Sequence, residues 1–342
     1  MNSGKSVVAT IALALILMAP VAGVFPSALA DETVPPGGPA VTRQEVKDSI
    51  IKGLDWFAET QAFEGSWAGS MGVTGFVVIC FTNMGYDYTN QTVQRALEHM
   101  RMFYNSEEGW MADAYLNYES AIGLMAMAAA GDPQDADKVA RVADFFERLQ
   151  FSEGSEYNMT EPWYLGGWPN YAGIPDISNS QFAILGIMSA ELMLDGYTVP
   201  DNVVENAIAF TNHCQNWPDV NEMPWAHNES KPSHGDGGFV YNAYRSRTSL
   251  GEQAFESYGS ITAAGYFSYL ALGNDDRQPE VAAAREWMDK EYNLERNPRM
   301  EGKGTFYYLW SQTRALAMAG QDWVVDGSGK LHDWRAEVAD YW

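Results

Sequence analysis

The chain has 342 residues, 19% of them charged, and a formal net charge of −24. So acidic a surface repels phosphate backbones, which argues against nucleic acid and anionic membrane as partners. Two cysteines are present, Cys80 and Cys214; an exported pair can form a disulfide, but both read better as unrelated buried thiols packed as small hydrophobes.

Residues 1–30 carry the pattern of a cleaved secretory signal. Lys5 supplies the positive start, Val7 to Val24 is apolar, and Ala28-Leu29-Ala30 is a small-x-small cleavage site. Pro20 interrupts the apolar run and argues against a permanent anchor. The expected location is therefore exported, periplasmic or extracellular. Residues 31–40, with Pro35-Pro36-Gly37-Gly38-Pro39, read as a flexible leader. No later run is apolar for long enough to span a bilayer, so no stable membrane insertion is expected once the signal is removed.

Residues 41–342 form one repeating domain. The first outer helix is predicted over Glu45–Thr60, with Val46, Ile50, Leu54 and Phe57 on one stripe and Thr42 beginning a capping box with Glu45. The matching amphipathic helices are Gln91–Tyr104, Ala136–Gln150, Asp201–Gln215 and Pro279–Tyr292. Between them lie segments with few charges and many small residues: Gly75–Met84, Glu119–Ala130, Asn179–Asp195, Ile261–Leu272 and Tyr307–Ala319. A helix apolar on most sides is buried, so these form an inner ring. Each pair closes on a glycine, at Gly85, Gly131, Gly196, Gly273 and Gly320, suited to the left-handed residue that ends a helix. Self-similarity at this period means stacked helix hairpins. Five pairs are counted, plus His332–Trp342 as the start of a sixth outer helix, so the reading favours a fragment of a six-hairpin ring.

Gly-aromatic turns join outer to inner helices. Their aromatics, Trp67, Trp110, Trp168, Phe239 and Phe306, are expected to wedge between adjacent hairpins. Two connections are longer, around Ser152 to Pro175 and Trp217 to Ser257, and long connections are more often functional. They lead into the N-termini of inner helices, where unsatisfied N–H groups favour an anion.

Gln61-x3-Gly65-x-Trp67, Asp176-Ile177-Ser178-Asn179-Ser180-Gln181-Phe182, Gly235-Asp236-Gly237-Gly238-Phe239 and Ser257-Tyr258-Gly259-Ser260-Ile261-Thr262 resemble the repeats of the prenyltransferase/squalene-oxidase group. The resemblance implies an all-α, (α/α)6-type toroid related to squalene–hopene cyclases and protein prenyltransferase β-subunits. Departures restrict what carries over. The Asp-x-Asp-Asp acid of the cyclases is absent, Asp176-x-Ser178-Asn179 being the nearest shape. Neither cysteine has the Asp two residues before it that the prenyltransferase zinc site requires. No Asp-Asp-x-x-Asp cluster for magnesium diphosphate occurs; Asp275-Asp276-x3-Glu280, like Asp132, Asp135 and Asp137, reads as a solvated loop with helix-capping charges. Leu250-Gly251-Glu252-Gln253 lacks the cysteine of a complement-type thioester. No cofactor and no metal are expected.

The candidate acids are Asp176 and Asp236, with His234 as an alternative acid or base; a carboxyl among aromatics has a raised pKa suited to proton donation. The candidate ligand-binding residues are Asn179, Gln181, Trp168, Tyr171, Tyr258, Ser260, Thr262 and Tyr308. Three readings stay open. One is a cyclase or isomerase on an isoprenoid-like small molecule. Another is an exported binding or scaffold protein for a glycan, peptide or lipid. The third is a polysaccharide lyase or hydrolase using Arg245, Arg247 and Asp236.

Overall fold

The computed structural model describes residues 43–152, 162–171 and 173–341. The signal segment, the leader and the Thr42 cap lie outside the described residues. Those described form eleven α-helices, four single-turn 3-10 helices and one two-stranded hairpin. Outer helices are α1 (Arg43–Thr60), α3 (Gln91–Arg101), α5 (Ala136–Leu149), α7 (Asp201–Asn212), α9 (Pro279–Lys290) and α11 (Trp334–Tyr341). The inner ones are α2 (Met71–Asn83), α4 (Leu116–Ala130), α6 (Ile177–Ser189), α8 (Gly259–Ala271) and α10 (Thr305–Met318). Alternation of amphipathic and apolar helices is as expected. The inner helices begin two to four residues earlier than the apolar pattern suggested, because polar residues of the turns, such as Ser178 and Ser260, already belong to the first helical turn. The hairpin, β1 (Val324–Val325) with β2 (Leu331–His332), occupies the start of the segment expected to be helical from His332.

The helices fall into two compact units, one of residues 43–145, 186–197 and 333–341, the other of 146–152, 162–171, 173–185 and 198–332. In the first, α2 and α4 are the main packed pair. Small residues allow the approach: a Cβ added to Gly75 would meet the Ile122 side chain at 2.6 Å. In the second, α8 and α10 pack most extensively, with α9 against α8.

The repeat motif has a mechanical meaning. Gln61 Nε2 donates to the Gly65 carbonyl of its own turn and to the Thr92 carbonyl in the first turn of the next outer helix, both at 2.9 Å. Gln150 does the same to Gly166 and Val203 (3.0 and 2.9 Å), and Gln215 to Gly237 and Glu280 (2.9 and 2.7 Å). The turn glycine sits against that next helix at positive φ: a Cβ on Gly166 would lie 1.7 Å from the Asn206 carbonyl oxygen. After the glycine comes the aromatic or its neighbour, whose N–H is accepted by a hydroxyl early in the inner helix: Trp67 by Thr74, Met111 by Ser120, Trp168 by Ser180 and Phe239 by Thr262. Trp67 and Trp168 also give their indole N–H to Phe57 and Phe146 carbonyls. Three of the five turn aromatics, Trp67, Trp168 and Phe239, are buried wedges and Trp110 is half-buried. Phe306 departs from the pattern: it is 51% exposed, because Gly304 is the residue before α10 and Phe306 already lies in that helix's first turn.

One further reading is corrected. Asp132 and Asp135 are not solvated. Asp135 is fully buried, and Arg101 bonds both acids, at 2.7 Å to Asp132 and 2.6 Å to Asp135. The long connection between α7 and α8 is a folded element with its own core of Met223, Trp225, Ala226, Val240, Ala243 and Phe255, in which the Trp225 and Phe255 rings stack at 4.6 Å. Both cysteines are free and buried.

Candidate active site

The second unit gathers polar side chains at the N-termini of α6, α8 and α10. Asp176 precedes α6 and caps it: its Oδ1 accepts the Asn179 N–H at 2.9 Å, its Oδ2 the Asn179 side-chain amide at 2.9 Å. The α7–α8 connection reaches the same point. The Ile177 N–H donates to the Tyr241 carbonyl at 3.0 Å, and the Tyr241 hydroxyl donates to Asp176 Oδ2 at 2.7 Å. Arg247 lies 3.6 Å over the Tyr241 ring. Asp176 is 4% exposed. Burial pushes its carboxyl above the usual carboxylate range, against the opposing pull of the Asn179 and Tyr241 hydrogen bonds and the Arg247 charge. The Tyr258 phenol, at the start of α8, is driven well up by burial and feels Tyr307, Arg247, Tyr241 and Asp176. The Cys214 thiol is also raised, first by burial and then by Asp176.

One turn into α6, Gln181 is fully buried. Its Oε1 accepts the Tyr307 hydroxyl at 3.0 Å and the Ser311 hydroxyl at 3.5 Å, whereas its Nε2 has no acceptor. The Asn179 Oδ1 likewise has no donor. Around Gln181 stand aromatics: Phe182 stacks on Trp310 at 5.0 Å, and Tyr307 stacks against Trp310 at 6.2 Å.

The other candidates divide by what they touch. Asp236 is satisfied four times over. It takes the Gly238 N–H (2.9 Å), the Ser257 hydroxyl (2.8 Å), the Trp287 indole (3.1 Å) and Arg299 (3.2 Å), which anchors its loop to outer helix α9. His234 Nδ1 bonds the Ala226 carbonyl at 2.9 Å within that loop. Thr262 accepts from Phe239 and donates to the Tyr258 carbonyl. Ser260 is clamped by Asn297, through its N–H at 2.8 Å and its hydroxyl at 3.0 Å. Trp168 is the turn wedge described above, Tyr308 is buried with its phenol pushed up, and Tyr171 is 55% exposed. Arg245 pairs loosely with Glu252 at 3.6 Å. Asp176, Asn179, Gln181 and Tyr258 are thus the expected residues that the fold collects at one place. Tyr307 and Ser311 join them through Gln181, unforeseen, and Trp310 and Arg314 follow on the same helix; a charge inside the otherwise uncharged α10 was the signal for Arg314.

Among the described residues no group of three or more His, Cys, Asp or Glu side chains could hold a metal ion, and no helix is long and apolar enough to cross a membrane.

No protein-family model matches the chain, and no curated protein matches it. Solved structures do. The type II terpene cyclase MstE from Scytonema superposes with a TM-score of 0.52 at 13% identity, covering 91% of this chain and 86% of that one. A variant of the same cyclase in complex with its substrate, geranylgeranyl dihydroxybenzoate, gives a TM-score of 0.52 at 12% identity, with 91% and 86% covered. Such low identity speaks for architecture and not for chemistry. The chain therefore shares the terpenoid cyclase/prenyltransferase-like fold, the all-α class of helix-hairpin toroids that its repeats imply.

Proposed function

We propose that this chain is an exported, cyclase-like protein that binds a prenyl-type small molecule in its second unit, with Asp176 as the proton donor. The observation that carries the reading is a single desolvated carboxyl, Asp176, beside Tyr241, Tyr258 and the Arg247 guanidinium. A carboxyl whose burial favours the protonated form holds a proton at a pH where free carboxylates do not. Delivered to an alkene, that proton leaves a cation that aromatic faces stabilise; Trp310, Phe182 and Tyr307 offer such faces nearby. The cyclase neighbour's prenylated substrate supports the ligand class, and the amino-terminal signal pattern supports export.

A binding protein without turnover is the second reading. It is favoured by the three donors on Asp176, which stabilise the charged carboxylate and make it a helix cap. Incubation of the full chain with farnesyl and geranylgeranyl probes, followed by extraction and product identification, separates the two. The first reading expects a rearranged hydrocarbon skeleton, lost by about 100-fold or more in Asp176→Asn. An unchanged rate in that variant removes Asp176 from the chemistry. Binding without product leaves the second reading.

A further inference from the structure

Arg314 stands in the middle of inner helix α10 and is 7% exposed. Its guanidinium lies 5.1 Å from the Trp310 ring centre and 5.9 Å from that of Phe267 on α8. Among the described residues no carboxylate pairs with it, and its Nε has no acceptor. Burial lowers its pKa to about 10, so it stays cationic at neutral pH. Elsewhere even a half-buried cation is answered by acids, as Arg101 with Asp132 and Asp135 shows. A protein with 45 acidic residues against 21 basic ones has no shortage of carboxylates to offer.

A buried guanidinium without an anion is unfavourable, because ring faces replace only part of its hydration. A second orphan lies on the same side. Tyr307, Ser311 and Arg314 are spaced i, i+4, i+7 and share one face of α10. Tyr307 and Ser311 both reach Gln181, whose Nε2 is a buried donor without an acceptor. Two buried donors, one charged, thus border the stacked Phe182 and Trp310 and lack only an acceptor.

We propose that Arg314 and Gln181 receive an oxyanion, carboxylate or phosphate, carried at the end of an apolar ligand that lies against Phe182 and Trp310. This deepens the binding reading given above and rests on it; it does not depend on proton transfer by Asp176. Arg314 is a recognition residue. It selects an anionic amphiphile over the neutral molecule of the same chain.

The test is a titration of the folded full chain, followed by tryptophan fluorescence and by ligand-induced shift of the melting temperature. The probes are geranylgeranoic acid, geranylgeranyl diphosphate, geranylgeraniol and palmitate. One or both anionic prenyl probes are expected to bind about 10- to 100-fold more tightly than the alcohol, the worth of one or two hydrogen bonds to a buried charge. Comparison of acid with diphosphate identifies which oxyanion is taken. In Arg314→Met that preference collapses while alcohol binding stays within about threefold, less than one weak hydrogen bond; Arg314→Lys keeps part of it. Should Arg314→Met fail to fold, Gln181→Leu and Arg314→Lys carry the same comparison. Equal binding of acid and alcohol by the wild-type chain overturns the proposal, as does a preference that survives Arg314→Met, or no binding of any probe. Palmitate binding alone, lost in Arg314→Met, upholds the anion site and refutes the prenyl ligand of the preceding section.

Discussion

The five inner helices contain two charged residues, Glu119 in the first unit and Arg314 in the second. Both are buried. Glu119 Oε2 accepts the backbone N–H groups of Asp113, Ala114 and Tyr115, the three residues that lead into α4, at 2.8, 2.8 and 3.1 Å. Its charge is answered by the fold itself. Arg314 is bordered by two rings and answered by no anion among the described residues. A buried charge that the fold completes is part of the scaffold; one that it leaves open is a place for something else.

That comparison can be broken by stability measurements. Asp135→Ala removes one of the two acids on Arg101 while Asp132 stays, and losing those charge-assisted hydrogen bonds is expected to cost about 2–3 kcal/mol, read as a lower urea midpoint. Arg314→Met removes a charge that has no partner to strand, so its stability should equal or exceed that of wild type without ligand; a loss as large as that of Asp135→Ala would make Arg314 scaffold after all. Glu119→Ala should cost about 1–2 kcal/mol, since the exposed N–H groups it leaves are reached by water. A neutral result would mean that its carboxylate is not needed to start α4.

The smallest expected effect concerns Asp176. Its folded pKa is raised, so between the ordinary carboxylate value and the raised one the folded state holds more protons than the unfolded. Stability therefore falls as pH rises through that window. Below it Asp176 is protonated in both states and contributes no slope. Asp176→Asn should abolish this part of the dependence, so the variant gains on the wild type as pH rises and then holds a constant lead. The amide is accommodated by turning Asn179, whose Oδ1 is without a donor. A series of unfolding curves from acidic to neutral pH reads the difference. A wild-type curve that instead gains on the variant with rising pH would show the Asn179 and Tyr241 hydrogen bonds outweighing burial.

Much of the architecture was legible because it is periodic. Apolar stripes, terminal glycines and Gly-aromatic turns each follow from backbone geometry within a few residues, and such local constraints are written into adjacent positions. The turn hydroxyls show what this reading left open. Thr262 and Ser260 look like ligand groups at a helix mouth, yet Thr262 holds the Phe239 N–H and Ser260 is held by Asn297, 37 residues away. Asp236 is of the same kind: in the sequence it is one acid in a glycine-rich loop, and only the fold brings Trp287 and Arg299 to meet it.

By itself, the order of residues determined that this protein is a set of helix hairpins, which helices are apolar on most sides, and where most of them begin and end to within about a turn; α6 is the exception, ending at Ser189 where the pattern ran on to Asp195. Tertiary structure alone decided which polar groups are spoken for. Asp176 meets Tyr241 across 65 positions and Gln181 meets Tyr307 across 126, while Arg314 meets no anion among the described residues. The physical reason is that helix periodicity is set by neighbours three and four residues apart, whereas the pairing of a buried charge depends on which distant segment folds against it.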